Sequence, residues 1–175
     1  MPELPDVTVY IEALERRIAG QTLQRVRLAN PFVLRTVEPS IADVSGRKIV
    51  AVRRMGKRIV LVLEGDVFII IHLMIAGRFR WLAPAAKIPG KLGLAAFDFA
   101  NGTLLLTEAG SKRRASIHIV RGEDAVREEY RQEFGISRFG KVEDLGSLIA
   151  FLASSHGRWL HGATIDIDGG EVRSV

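Results

Sequence analysis

Residues 56–80, GKRIVLVLEGDVFIIIHLMIAGRFR, decide the fold. Runs rich in Val, Ile and Leu at 58–64 and 67–75 are bounded by turn residues. They read as two β-strands joined by the turn "LEGD", with a third strand at 78–82. Such runs are too short for a membrane-spanning helix. Working outward, further strands are predicted at 22–29, 47–53, 93–100, 103–107 and 115–120. "FDFA-NG-TLLL" is the strongest hairpin signal, because Asn-Gly suits a type I′ turn. Ahead of the strands, Asp6–Ala19 places Val7, Ile11, Leu14 and Ile18 at helical spacing, and Gly20 is a natural stop. Asp6 is the expected N-cap. Pro5 is expected to keep residues 2–4 extended. The predicted fold class is α+β and β-rich: an antiparallel β-sandwich with an N-terminal helix, plus a C-terminal helix–strand tail.

The tail differs in character. Residues 123–134 are charged and read as a helix. Residues 143–154 read as a second helix with Leu145, Leu148, Ile149 and Leu152 on one face. "GATIDIDGG" reads as a short strand followed by a glycine turn. Charge changes sign at the same place. Residues 1–121 hold 19 Lys and Arg against 10 Asp and Glu, or +9, whereas residues 122–175 hold 6 against 10, or −4; together they give the chain's +5. The expected division is therefore 1–121 and 122–175. A basic front part suits a polyanion.

The chain has no cysteine, which excludes disulfides, thiol catalysis and cysteine-held zinc in these residues. Its four histidines show no metal-binding spacing, and neither a metal nor a cofactor is expected. No signal-peptide pattern is present, so the expected location is the cytoplasm, with no membrane partner.

Two short stretches carry chemistry. The start, "MPELPDV", would expose the secondary amine of Pro2 beside the Glu3 carboxylate once Met1 is removed. An N-terminal amine has an ordinary pKa of about 7.7–8.0, and in its neutral form attacks aldehydes or anomeric carbons. A neighbouring acid shuttles the protons. The second stretch, "RRMGKR", gathers Arg53, Arg54, Lys57 and Arg58 at a turn, with Gly56 allowing close approach of a phosphate.

These stretches together resemble the N-terminal domain of the formamidopyrimidine-DNA glycosylase / endonuclease VIII family. That family opens with Pro-Glu-Leu-Pro-Glu-Val after the initiator Met; here Asp6 replaces the second Glu. Lys57, then Ile71-His72-Leu73 and Gly77 fall at the spacing of the family's Lys and "HLGMTG" segment. The similarity covers about residues 1–120.

The resemblance implies a bifunctional base-excision enzyme acting on double-stranded damaged DNA. Pro2 would displace the damaged base from C1′ and form a Schiff base, Glu3 would shuttle protons, and Lys57 would contact the phosphate beside the lesion. β/δ-Elimination would then cut the strand. Ile75 stands at the position of the family's Met, with Met74 adjacent. Either is a candidate wedge for the emptied stack, or a strand residue facing the core. His72 is either a phosphate contact or a buried strand histidine. Arg54 and Arg58 are further candidate DNA contacts. Where the family has a "D-P-R-R-F-G" loop, this chain reads "TEAGSKRRAS" at 107–116. Lys112, Arg113 and Arg114 keep the charge, and the Phe is missing. No helix–two-turn–helix and no C-x-x-C pair is expected after it.

The tail resembles something else. "ISRFGKVEDLGSLIAFLASSHGRWLHGATIDIDGGEV" is similar to the C-terminus of short-chain dehydrogenases/reductases, over about 127–175. The chain has neither their glycine-rich dinucleotide turn nor a Tyr-x-x-x-Lys pair, so no oxidoreductase activity is expected. Two unrelated resemblances and the charge change point to a truncated or fused reading frame. An unpartnered tail strand would favour a homodimer through the tail.

Overall fold

The structure is a computed structural model and describes residues 4–110 and 112–170. It divides into two compact units, 1–126 and 127–175.

The first unit is a sandwich of two antiparallel sheets. Helix α1 (Leu4–Ile18) leads into β1 (Thr22–Leu23) and β2 (Arg25–Leu28). Then follow β3 (Arg47–Met55), β4 (Arg58–Leu63), β5 (Val67–His72), β6 (Gly77–Leu82), β7 (Gly93–Phe99), β8 (Gly102–Glu108) and β9 (Ser116–Arg121). One sheet has the order β1-β3-β4-β5-β9 and the other β2-β7-β8-β6. The run predicted as one strand at 22–29 is thus two. The chain changes sheets at Gln24, whose N–H donates to the Asp98 carbonyl at 2.9 Å.

Alternation along β4 and β5 explains why both read as continuous apolar runs. Ile59, Leu61, Leu63, Val67, Ile69 and Ile71 enter the main core between the sheets. Their neighbours Val60, Phe68 and Ile70 join a second cluster on the outer face, with Val120 and Val126. Both faces are therefore buried. Each such side chain contributes about 1.5–3 kcal/mol when fully buried. Val126 belongs to α2 (Glu123–Phe134), so the first turn of that helix covers the outer face.

Helix α1 packs by Val7, Leu14 and Ile18, with Tyr10 and Ile11 beside them. It starts at Leu4, two residues before the expected cap, so Leu4 is helical rather than extended. Pro5 and Asp6 lie in the first turn. Proline's missing N–H is not needed there, and an acid suits the positive end of the helix dipole.

The β7–β8 turn also differs from expectation. Neither Asn101 nor Gly102 has a positive φ, which a type I′ turn requires. Phe99 pairs with Gly102, leaving Ala100 and Asn101 as the loop. Gly102 serves a different purpose: a Cβ there would overlap the Trp81 ring.

The second unit contains the rest of α2, then α3 (Val142–Ala153) and a 3-10 turn at Ser155–Gly157. Asp144 fixes the start of α3. Its carboxylate accepts from the Lys141 N–H at 2.7 Å and from both terminal nitrogens of Arg138 at 2.7 Å. No residue of α3 is buried. The expected strand in "GATIDIDGG" does not form: among the described residues, 161–170 carry no strand. A lone strand leaves its backbone groups without a ladder, and Ile165 and Ile167 remain exposed. Among the described residues, no helix is long and apolar enough to cross a membrane.

Candidate nucleic-acid interface

Strand register collects the candidate residues at one end of the sandwich. Arg58 pairs with His72, and His72 with Ser116, so the start of β4, the end of β5 and the start of β9 lie side by side. In the facing sheet, Gly77 pairs with Glu108, joining the start of β6 to the end of β8. Three loops therefore emerge together: the β3–β4 hairpin with Lys57, the 73–76 crossing, and the 109–115 crossing. The two crossings carry the chain from one sheet to the other.

Helix α1 points to the same end. The Glu15 carboxylate accepts from the Val52 N–H at 2.8 Å, and the Gly20 N–H donates to the Ile49 carbonyl at 2.8 Å. These contacts set α1 antiparallel to β3. From Glu15 back to Leu4 the helix rises roughly 16 Å. From Val52 to Lys57 the strand and its turn advance about 16 Å. The facing sheet agrees: Tyr10 meets Phe79 edge-on near the start of β6, while the Arg17 carbonyl accepts from Asn101 at the opposite end. The helix start and the Lys57 hairpin thus reach the same level. Pro2 and Glu3 immediately precede that start in sequence and lie outside the described residues.

The hairpin carrying Lys57 has a two-residue loop, Gly56-Lys57, between the paired Met55 and Arg58. Gly56 has φ 56°, the glycine-first pattern of a type II′ turn. Arg54 is exposed beside it. Arg58 is buried, only 2% exposed. It faces His72 across the ladder, so its charge acts on that histidine.

His72 is half-buried, and its pKa is pushed down to about 4, first by burial and then by the positive charges of Arg58, His118 and Lys57. At neutral pH it is an uncharged imidazole. It can exchange one hydrogen bond with a phosphate but adds no positive charge.

The 73–76 crossing separates the two candidate wedges. Met74 has φ 53°, a left-handed conformation at the place where the family motif quoted above has Gly. The side chain of Met74 is partly buried, whereas Ile75 is 55% exposed. Gly77 closes the turn: its N–H donates to the Leu73 carbonyl at 2.9 Å, and a Cβ there would overlap that carbonyl. Arg78 folds back to donate to the carbonyls of Gly77 at 2.7 Å and Ile75 at 3.3 Å. Ile75 is therefore the side chain presented to solvent.

The 109–115 crossing exposes Lys112, Arg113 and Arg114. It is held by Glu108, which the sequence reading missed along with Arg78 and Glu15. Each of these acts through backbone groups far away or around a turn. Only the unexplained acid at the end of an apolar strand signalled Glu108. Among the described residues, no group of three His, Asp or Glu side chains is placed to hold a metal.

Comparison with known proteins bears directly on this end of the molecule. Residues 1–115 match the family model of the formamidopyrimidine-DNA glycosylase N-terminal domain. The formamidopyrimidine-DNA glycosylase of Solibacter usitatus is 34% identical over 111 residues, covering 62% of this chain and 40% of that protein. That of Heliobacterium modesticaldum is 28% identical over 144 residues, covering 81% and 52%. The chain thus spans about half or less of the length of these relatives. A solved complex of a Lactococcus lactis FPG mutant with a Fapy-dG containing DNA matches with TM-score 0.67 and 25% identity, over 77% of this chain and 48% of that one. The same organism's Fpg with an abasic site containing DNA shares the fold, with TM-score 0.66 and 24% identity over 77% and 49%. With α1, strands β1 to β8 and the loop end inside the matched region, the chain belongs to the formamidopyrimidine-DNA glycosylase N-terminal domain family.

Proposed function

We propose that this chain provides the catalytic part of a DNA-repair glycosylase and AP lyase, acting on oxidised bases or abasic sites in duplex DNA. The observation that carries the proposal is the convergence of the α1 start, the Lys57 hairpin, the Ile75 turn and the basic loop 112–114 at one end of the sandwich.

In this reading the Pro2 amine attacks C1′ of the extruded nucleotide. The base departs with a proton, the sugar ring opens, and a Schiff base remains on the proline nitrogen. Glu3 carries the protons for attack and ring opening. Lys57 and Arg54 hold phosphates, and neutral His72 contributes a single hydrogen bond. Ile75 fills the gap left in the stack. The tail, from about residue 127 to 175, is a separate segment of short-chain-dehydrogenase type and adds no catalytic group. A homodimer through it has only the exposed apolar face of α3 in its favour. A cytoplasmic, DNA-associated location follows from the same reading.

The test is trapping. Protein shown to lack Met1 is incubated with abasic duplex and borohydride, and a covalent adduct is expected. Acetylating the terminus should abolish the adduct. Lys57→Ala should weaken duplex binding and lower its salt slope by about 1. No adduct from Met1-free protein would refute the catalytic reading. An adduct that survives acetylation and disappears in Lys57→Ala would move the nucleophile to the lysine. Salt-sensitive binding without an adduct would leave only a DNA-binding module.

A further inference from the structure

We propose that Glu108 is a positioning residue for DNA binding: its buried carboxylate fixes the backbone of the basic loop, so that Lys112, Arg113 and Arg114 face a DNA backbone in one arrangement. The inference rests on the DNA reading above.

Glu108 ends β8 and is only 2% exposed. Its two oxygens accept the Arg114 N–H at 3.0 and 2.9 Å, and one of them also accepts the Ala115 N–H at 3.1 Å. Bonds from N–H groups to a carboxylate are about twice as strong as neutral ones. The residue is itself anchored, because its N–H donates to the Leu92 carbonyl at 2.9 Å. The adjacent Arg113 adds a second tie, its guanidinium donating to the Lys91 carbonyl. Leu92 and Lys91 end the long connection 83–92 that carries the chain from β6 to β7. Both fastenings rest on the same connection and hold the C-terminal half of the loop, from Arg113 to Ala115.

By charge alone this acid is misplaced. A carboxylate under a cationic loop lowers the local positive potential and weakens attraction for phosphates. Its effect on the backbone has the opposite sign. A loop ordered before contact does not have to be immobilised on binding, and each free, rotamer-rich side chain would otherwise reduce affinity. Charge and order therefore make opposed predictions for the same substitution.

The experiment uses the full chain and a fluorescent duplex, measured by anisotropy with and without an abasic site. Glu108→Ala raises the net charge by one, yet we expect it to weaken binding about tenfold. Glu108→Gln keeps one acceptor oxygen and should lose about threefold, which also decides the question if the alanine variant does not fold. In a Lys112→Ala/Arg113→Ala/Arg114→Ala background, Glu108→Ala should have no further effect. Amide exchange at Arg114 and Ala115 should accelerate in Glu108→Ala, while Ile69 and Ile71 stay protected. A Glu108 variant that binds duplex as tightly as the parent, or tighter, overturns the inference. So does unchanged exchange at Arg114 and Ala115. A parent that binds no duplex defeats the DNA reading and this inference with it, whereas a binding parent with an equally binding variant defeats this inference alone.

Discussion

The hairpin β4–β5 and the helix α3 have similarly apolar sequences and very different surroundings. RIVLVL and VFIIIH are buried along almost their whole length, on both faces of their sheet. VEDLGSLIAFLA forms a regular helix, yet Leu145, Ile149, Phe151 and Leu152 are exposed. Apolar residues make a core only where strand pairing or a facing element supplies a second wall. In the first unit the second sheet, α1 and the first turn of α2 supply it. Within its own unit α3 buries no residue, and its start is held locally by backbone bonds and the Arg138–Asp144–Lys141 cap.

The sharpest way to break this comparison is to truncate one side chain in each region. Leu61→Ala should lower unfolding free energy by about 2–5 kcal/mol. Leu145→Ala should stay within about 0.5 kcal/mol. Urea denaturation compares them directly, and equal losses would mean that the face of α3 is covered in solution.

The next contrast is between two acid–arginine groups. Asp98 is buried, which by itself would raise its pKa, but hydrogen bonds from Arg27, Arg25 and Thr103 outweigh burial and hold it down at about 2. A depressed carboxylate stabilises the fold above its unfolded pKa, near 3.8, and that stabilisation is lost as pH falls toward 2. Asp98→Asn should cost about 2 kcal/mol at neutral pH, below the ~3–5 of a fully buried pair, because both arginines keep some solvent contact. It should also flatten the acid limb of the stability curve. Asp144, half-buried, is held low by Arg138 and the Lys141 N–H. Asp144→Asn should reduce helical circular dichroism and leave the unfolding midpoint of the sandwich where it is.

A smaller effect is expected from His72. Its folded pKa lies below its unfolded one, so the unfolded chain binds more protons between about pH 6.5 and pH 4. Stability should fall as pH is lowered through that window. His72→Gln should remove this part of the slope, as followed by denaturation midpoints at pH 7 and pH 4.5. The smallest change is Met74→Gly. Relief of the left-handed conformation, about 1–2 kcal/mol, is offset by the greater freedom of unfolded glycine, about 0.5–1 kcal/mol. A net gain below about 1 kcal/mol should appear as a slightly higher melting temperature.

The same contrast explains what the sequence disclosed. The strands of the first unit were legible because β-branched runs between turn residues are local signals, and α1 because its stripe repeats every turn. The turn at Lys57 was legible from its residues, but the turn at Ile75 was not: the apolar run 67–75 reads as one strand, whereas β5 ends at His72 and the chain turns through left-handed Met74. Asn101-Gly102 misled because glycine there answers to Trp81, a neighbour 21 positions earlier in the chain. The tail strand misled because Ile165 and Ile167 alternate correctly but find no ladder among the described residues. Glu15 and Glu108 were invisible as anchors because their partners are backbone N–H groups, which every residue type carries alike. The common end of the sandwich could not be seen either, since it exists only once register has brought Arg58, His72 and Ser116 into one row.

The seating of α1 has a consequence for the order of events during synthesis. The helix is made before its fastenings, Val52, Phe79 and Asn101, the last of them 84 positions after Arg17. Fifteen residues alone make a marginal helix in water. The helix therefore has no complete seat until at least Asn101 has been made. Completion of the sandwich thus decides where the start of α1 is held: that end of the helix is made early and acquires its surroundings late.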